Sequence, residues 1–574
     1  MSRSGKNKSW SLQRGATVFP GGVRFSVWAP HVKNLAVRVV HPVQKDIPMR
    51  QSSPELFEAN LEGIGAGARY FFLFDDGRTF PDPVSRHQPE GVHGPSEVVD
   101  PERFDWADSD WRGIDLEDHL FYELHVGTFT PQGTFDGVIG RLGDLKALGI
   151  SAIELMPIAQ FPGNRNWGYD GVDLYAVQNS YGGPEGLRRL VDAAHRTGLS
   201  VVLDVVYNHL GHEGNYLRAF GPYFTQKYKT PWGDAINYDD RGCKEVRKFI
   251  VENALYWIDE YHIDAFRLDA IHGIFDFSAK HILQEVGEAV HRLGATIGQS
   301  LYLFPESDLN DPRLIRSIEQ GGYGLDAQWN DDFHHSLHTL LTGEQQGYYA
   351  DFGRLDQMAK AICSGFVYDG NDSVFRGRPH GAPSDDLPGS SFVVFSQNHD
   401  QVGNRLMGDR LSTLVPFEAL SLAAAVTLLS QSLPLLFMGE EYGETAPFLY
   451  FTHYGDPKLA EAVRQGRKRE FADFAWQGEP PDPQSTETFD RSRTNPLLSN
   501  QEANGRLLEF YRTLIAFRKS HPVFRDFDRR NIQIHTDNQE RVIGLRRNNG
   551  SETLLILFSF NPAAAELHLP NRFL

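Results

Sequence analysis

From His119 to Glu441 short apolar runs alternate with longer stretches in which apolar residues recur at helical spacing. The runs begin H-L-F-Y-E-L-H-V at His119, S-A-I-E-L-M-P-I at Ser151, L-S-V-V-L-D-V-V-Y-N-H at Leu199 and I-D-A-F-R-L-D-A-I at Ile263. They continue with S-L-Y-L-F-P-E-S at Ser300, G-L-D-A-Q-W-N-D at Gly324, S-F-V-V-F-S-Q-N-H-D at Ser391 and L-P-L-L-F-M-G-E-E at Leu433. Helices are predicted over Gly137–Gly149, Pro184–Gly198 and Cys243–His262, the second with proline near its start and glycine at its end. Eight strand–helix alternations predict an α/β fold, a (β/α)8 TIM barrel enlarged by insertions, with a doubly wound open sheet as the competing fold.

Two insertions interrupt the alternation. Leu210–Gly242 is too irregular for a crossover helix, and Leu449–Ser499 carries K-L-A-E-A-V-R-Q-G-R-K-R-E-F, a charged helix expected beside the barrel mouth. The flanks read differently. Alternating runs at Val23–Pro30, Leu35–Val40 and Ala68–Phe74, punctuated by Gly-Gly and Asp-Asp-Gly, predict an N-terminal β-sandwich, followed by an irregular Pro/Gly-rich cover. After an amphipathic helix at Leu507–Lys519 the runs I-Q-I-H, R-V-I-G-L-R-R and T-L-L-I-L-F-S-F predict a C-terminal β domain. The expected divisions are 1–112, 113–520 and 521–574.

Charge narrows the partners. Lys+Arg 56 against Asp+Glu 75 leaves −19, which disfavours nucleic acid or an anionic membrane surface and suits a neutral ligand. No run is long enough for a membrane span, and M-S-R-S-G-K-N-K-S-W lacks the apolar stretch of a signal peptide, so a cytoplasmic protein is expected. Cys243 and Cys363 lie far apart without metal-ligand spacing, so neither zinc nor a disulfide is indicated. Nine tryptophans and 21 tyrosines fit planar stacking surfaces for sugar rings.

Polar residues collect at the ends of the predicted strands: Asp204, Asn208 and His209 at the third, Arg267, Asp269 and His272 at the fourth, Glu306 at the fifth, His399 and Asp400 at the seventh. In a parallel barrel such positions carry catalytic groups. Period two places Arg267 and Asp269 on one face, either as a structural ion pair or as an ionised catalytic carboxylate with its orienting cation. Acetal hydrolysis needs a proton donor and a carboxylate facing the oxocarbenium-like carbon. Asp269, beside Arg267, is the expected nucleophile; Glu306, in F-P-E-S-D without an adjacent cation, is the expected acid.

D-V-V-Y-N-H, F-R-L-D-A-I-H, E-S-D and N-H-D, in this order, resemble the four signature regions of the α-amylase family of glycoside hydrolases. The resemblance implies a retaining mechanism in which Asp269 forms the glycosyl-enzyme, Glu306 is acid then base, and Asp400 binds sugar in the reactive subsite. It further implies that His209 and His399 hydrogen-bond that sugar, Arg267 positions the nucleophile, and Tyr169 in N-W-G-Y-D stacks beneath the ring. Asp204 reads as a structural partner of Arg267. Asn208 matches a calcium ligand of many amylases, but no cluster of further oxygen ligands accompanies it, so no metal and no cofactor is expected. His272 either packs on the rim or touches substrate, and Trp167, like Tyr169, is expected as a sugar platform.

The N-terminal sandwich followed by F-Y-E-L-H-V-G-T-F-T resembles branching, debranching and trehalose-releasing members of the family. Q-N-H-D-Q-V-G-N-R and the long segment after M-G-E-E-Y-G-E-T favour the trehalose-releasing group. That resemblance implies cleavage of the α-1,4 bond next to the terminal trehalose of a maltooligosyltrehalose; a monomer is expected, although nothing in the residues fixes the oligomeric state. The charged insertion Phe448–Phe471 is expected to close one end of the cleft. A branching enzyme is the alternative activity, and a non-catalytic glucan-binding protein the alternative class.

Overall fold

The structure, a computed structural model, describes residues 10–53, 55–470, 478–565 and 573. The eight predicted runs all form strands: Phe121–Leu124, Ala152–Leu155, Ser200–Val205, Ala265–Leu268, Tyr302–Pro305, Gln328–Trp329, Phe392–Phe395 and Leu433–Phe437. They pair in parallel in the order fifth, fourth, third, second, first, eighth, seventh, sixth. Asp326 bridges the remaining seam. Its N–H donates to the Leu303 carbonyl at 3.0 Å, and its carboxylate accepts the Leu303 N–H at 2.7 Å. The sheet therefore curls into a nearly closed (β/α)8 barrel, not the doubly wound alternative.

Strand periodicity divides each run between two cores. Phe121, Ala152, Val202, Ala265, Phe304, Trp329, Val393 and Leu433 belong to one buried cluster in the barrel interior. Their neighbours Tyr122, Ile153, Leu203, Phe266 and Leu303 belong to the larger core shared with the helices. The helices Gly183–Thr197 and Cys243–Tyr261 end where expected, at Gly198 and His262, both in the left-handed region that closes a helix. The Gly137–Gly149 helix is instead two helices, Phe135–Ile139 and Leu142–Leu148. Thr134 caps the first by accepting the Gly137 N–H, and the break falls at Gly140–Arg141, where glycine weakens helix continuation.

Two antiparallel sheets make the N-terminal sandwich: Gly15–Phe19, Gly22–Trp28, Leu56–Glu62 and Arg50–Ser53 in one, and Lys45–Pro48, Leu35–His41, Arg69–Phe74 and Thr79–Phe80 in the other, with Ser96–Glu97 added to Arg69–Phe74. It is tied to the barrel by the buried pair Arg86–Glu260, at 2.6 Å. The insertion after the third strand contains a hairpin, Phe224–Thr230 with Gly233–Ile236. The later insertion contains the expected charged helix, Pro457–Glu470; its expected last residue, Phe471, lies outside the described residues, as does the amino-terminal segment 1–9. Ile532–Asp537, Val542–Asn548 and Thr553–Ser559 form the C-terminal antiparallel sheet. Among the described residues no helix is long and apolar enough to cross a membrane.

Candidate active site

The strand alternation that fills the barrel with apolar side chains also builds the site above them. Two residues beyond Phe121, Ala152, Val202, Ala265, Phe304 and Trp329 stand Glu123, Glu154, Asp204, Arg267, Glu306 and Asp331. Each of these six strands thus turns polar where it reaches the carboxyl end of the barrel, while the seventh and eighth stay apolar at that layer with Phe395 and Leu435. The expectations covered Asp204, Arg267 and Glu306 but missed Glu123, Glu154 and Asp331, although the same period-two count from the first, second and sixth strands reaches them.

Arg267 is the centre of this layer and is fully buried. Its Nη1 donates to Asp204 Oδ2 at 2.9 Å and to Asp269 Oδ1 at 2.8 Å. Its Nη2 lies 3.6 Å from Glu306 Oε2 and 3.9 Å from Asp400 Oδ2. The guanidinium rests on the Trp329 ring, 4.5 Å from its centroid. One cation therefore faces four carboxyl groups, and the expectation that Glu306 has no adjacent cation is corrected: Arg267 is distant in sequence from Glu306 but adjacent in space.

The fourth strand ends at Leu268, so Asp269 stands one residue beyond it. Ala270 then adopts φ +38°, a left-handed conformation costly for a residue with a Cβ. This turn aims the Ala270 N–H at Glu306 Oε2 and the Ile271 N–H at the Glu306 carbonyl, 3.1 Å away. Asn208 Nδ2 donates to Asp269 Oδ2 at 2.7 Å, while Arg267 holds Oδ1, so both Asp269 carboxylate oxygens are fixed. Burial raises the pKa of Glu306 above its ordinary value; Asp269 and Asp400 add to the rise, and Arg267 and His272 oppose it. Oε2 is occupied by Ala270, which leaves Oε1 to carry a proton.

A second string of bonds crosses the barrel. His399 is gripped by Glu123, which accepts its backbone N–H at 3.0 Å and pairs with Nδ1. Its Nε2 lies 2.7 Å from the Tyr169 hydroxyl, which in turn donates to Asp204 Oδ2 at 2.7 Å. Burial alone would lower the His399 imidazole, yet Asp400 and Glu123 hold it up at about 9. Asp400 opens toward solvent, its side chain 37% exposed, on a short helix at His399–Gly403 capped by Asn398. Burial pushes the Asp204 carboxyl up to about 7 against the pull of Arg267.

The other expected residues fall nearby with different partners. Both ring nitrogens of His209 face protein oxygens, Asn208 Oδ1 and the Tyr169 carbonyl, and its ring stacks on Trp232, an aromatic the sequence reading missed. His272 stands at the rim, 30% exposed, with Nδ1 3.8 Å from Asp308. Trp167 is not a sugar platform: it is buried, stacked on Phe448 at 5.1 Å, and its Nε1 donates to the Leu449 carbonyl. It lies under Gly403, where any Cβ would approach its ring within 2.1 Å, so it supports the turn that carries Asp400.

The chain is 51% identical over 500 residues to the malto-oligosyltrehalose trehalohydrolase of Saccharolobus solfataricus, with 87% of this chain and 86% of that protein covered. The Arthrobacter ramosus enzyme of the same name is 47% identical, with 87% and 88% covered. The chain belongs to the malto-oligosyltrehalose trehalohydrolase family. The trehalohydrolase of Deinococcus radiodurans extends the match to 97% of this chain at 41% identity, with 91% of that protein covered. The alpha amylase catalytic-domain family matches residues 98–232. Among solved structures, a putative alpha amylase from Salmonella typhimurium superposes with TM-score 0.91 at 40% identity, covering 98% of this chain and 96% of that one. A glucan branching enzyme from Corynebacterium jeikeium, at 31% identity, covers only 56% of this chain and 50% of its own length. The trehalohydrolase match, unlike the branching-enzyme match, takes in nearly the whole molecule.

Proposed function

We propose that the chain is a retaining glycoside hydrolase that cleaves the α-1,4-glucosidic bond next to the terminal trehalose of a maltooligosyltrehalose, releasing trehalose. The observation that carries the chemistry is one buried guanidinium set against two carboxyls in unlike surroundings. Asp269 receives charged and amide hydrogen bonds on both oxygens and serves as nucleophile. Glu306, raised by burial, keeps a proton for the leaving oxygen and afterwards takes one from water.

In the first step Glu306 Oε1–H protonates the departing glycosidic oxygen as Asp269 bonds to the anomeric carbon. In the second, water attacks that carbon, Glu306 accepts its proton, and the Asp269 ester bond breaks. Asp400 binds sugar hydroxyls in the reactive subsite, with His399, His209 and Tyr169 lining it and His272 at its rim. Arg267 holds Asp269 in place, and Asp204 and Asn208 support that pair. The substrate follows the names of the relatives that match most of the chain. The catalytic unit is assigned to residues 113–520, and the two free thiols suit a reducing, cytoplasmic setting for a monomer.

The test is product analysis after incubation with maltooligosyltrehalose and, separately, with the maltooligosaccharide of equal length. Free trehalose from the first is expected. Glucose or maltose from both substrates, without trehalose, would overturn the substrate assignment and leave the hydrolase chemistry standing. Asp269→Asn and Glu306→Gln are each expected to lose at least about a thousandfold in kcat; normal turnover by either would remove its assigned role.

A further inference from the structure

The carboxylate assigned to the reactive subsite is held by a chain of donors that begins outside the barrel. We propose that Arg467, on the Pro457–Glu470 helix after the eighth strand, is a positioning residue that fixes Asp400 through Asn404. The inference rests on the reading that Asp400 binds sugar where the reaction occurs.

Arg467 is buried, and its Nη1 donates to Asn404 Oδ1 at 2.9 Å. Asn404 Nδ2 donates to Asp400 Oδ1 at 3.3 Å. An arginine offers only donors, so it selects the amide rotamer of Asn404: the oxygen must face Arg467, and the NH2 must then face Asp400. With the amide turned over, two donors would oppose each other and an oxygen would face the carboxylate. The other Asp400 oxygen, Oδ2, lies 3.4 Å from His399 Nε2 and 3.9 Å from Arg267 Nη2. Asn404 therefore sets the rotation of a carboxylate whose second oxygen points at the catalytic cation.

Arg467 also grips the backbone of the same turn. Its Nη2 donates to the Gly403 carbonyl, and its guanidinium lies over Tyr450, 4.8 Å from the ring centroid. Tyr450 packs edge-on against Trp167, and Trp167 lies under Gly403. The turn bearing Asp400 is thus clamped between the inserted helix and the Trp167 ring. The other end of that helix is anchored too: Glu213, in the insertion after the third strand, accepts the backbone N–H groups of Gly455 and Asp456 at 2.9 and 3.1 Å. The insertion after the eighth strand thus orients a sugar-binding group from behind.

Arg467→Ala is expected to lower kcat/KM about tenfold or more, with kcat falling further than KM rises, because a misrotated carboxylate loses most at the transition state. Its thermal midpoint should stay within about 2 °C of the parent. Arg467→Lys should remain impaired, since one ammonium cannot hold Asn404 and Gly403 together in the fork geometry. Asn404→Ala, which leaves the Arg467–Gly403 bond intact, should show the same loss, and the double variant Arg467→Ala/Asn404→Ala should be no worse than either single one. Arg464→Ala, on the same helix but paired with Glu461 and Asp482, should behave as the parent. Full activity in Arg467→Ala beside an inactive Asp400→Asn would overturn the relay and spare the reading of Asp400. Multiplicative losses in the double variant would also overturn it. Normal turnover in Asp400→Asn would remove both, and if Arg467→Ala fails to fold, Asn404→Ala alone decides: unimpaired kcat there refutes the relay.

Discussion

Glu306 shows how placement sets chemistry at the scale of one residue. Burial and the neighbouring Asp269 and Asp400 raise it, so in its proposed role as acid it works protonated, and loss of that proton as pH rises should end turnover. The alkaline limb of a kcat/KM–pH profile is therefore assigned to Glu306. His272 opposes the rise by stabilising the anion, so His272→Asn should carry that limb to higher pH, as initial-rate profiles on maltooligosyltrehalose would reveal. A limb that stays put or moves down would separate Glu306 from it. Glu154 illustrates the opposite case: it is buried, neither carboxyl oxygen has a hydrogen-bond partner among the described residues, and burial with Glu123 and Asp204 nearby pushes it well above the usual range. A neutral amide should replace it cheaply, with Glu154→Gln shifting stability by no more than about 1 kcal/mol in chemical denaturation.

At the scale of elements, the strap that leads into the barrel is buttoned to the amino-terminal ends of the third and fourth strands. Asp108 Oδ2 pairs with His195 Nδ1 at 2.8 Å and His262 Nδ1 at 2.7 Å, and Asp264 meets the other face of His195 at 3.0 Å. Trp111 stacks on His195 and donates to Asp264, and Trp106 stacks on His262. Burial opposes the charge on His195, yet Asp264 and Asp108 raise it to about 9. A raised histidine stabilises the fold fully below its unfolded value near 6.5 and loses that contribution as pH climbs through 9. His195→Asn is accordingly expected to cost up to about 3 kcal/mol at pH 6, the linkage limit of that shift, and progressively less toward pH 10. Thermal unfolding of both proteins across that range checks the sign; a deficit that grows with pH would contradict it.

For the whole molecule, charge and docking act separately from catalysis. A net −19 gives no long-range attraction for an uncharged oligosaccharide. KM should stay within about twofold between 0.05 and 0.5 M salt, because screening removes nothing the encounter uses; a steep rise or fall would indicate a charged substrate. The C-terminal sheet docks through arginines that bond carbonyls. Arg547, on its Val542–Asn548 strand, donates to the carbonyls of Ser430, Val523 and Asp526 at 3.0–3.1 Å, and Arg518, on the preceding helix Glu502–Ser520, reinforces the same seat by donating to those of Leu428, Ser430 and Ser432 at 2.7–2.9 Å. Arg547→Met should destabilise by roughly 2–4 kcal/mol by stranding those acceptors. Native-state kcat should be unchanged, since the arginine lies far from the carboxyl ends of the strands.

What the amino-acid order determined by itself was the alternation: eight apolar runs, each turning polar at its end, suffice for a barrel with Asp204, Arg267, Asp269 and Glu306 at one face, because a strand's period of two is local. The signature runs likewise pointed to the family without coordinates. Tertiary structure decided what each polar group faces. Arg267 beside Glu306, Glu123 on His399, and Arg467 behind Asn404 join residues far apart in the chain, and no spacing rule reaches across strands closed into a ring. Trp167 was misread for the same reason: its neighbours in sequence, Gly168 and Tyr169, suggest an open loop, whereas Phe448 and Gly403 bury it. The helix break at Gly140 escaped notice because apolar spacing survives a local turn. Local periodicity places side chains on faces; only closure of the barrel sets their fields, their partners and so their chemistry.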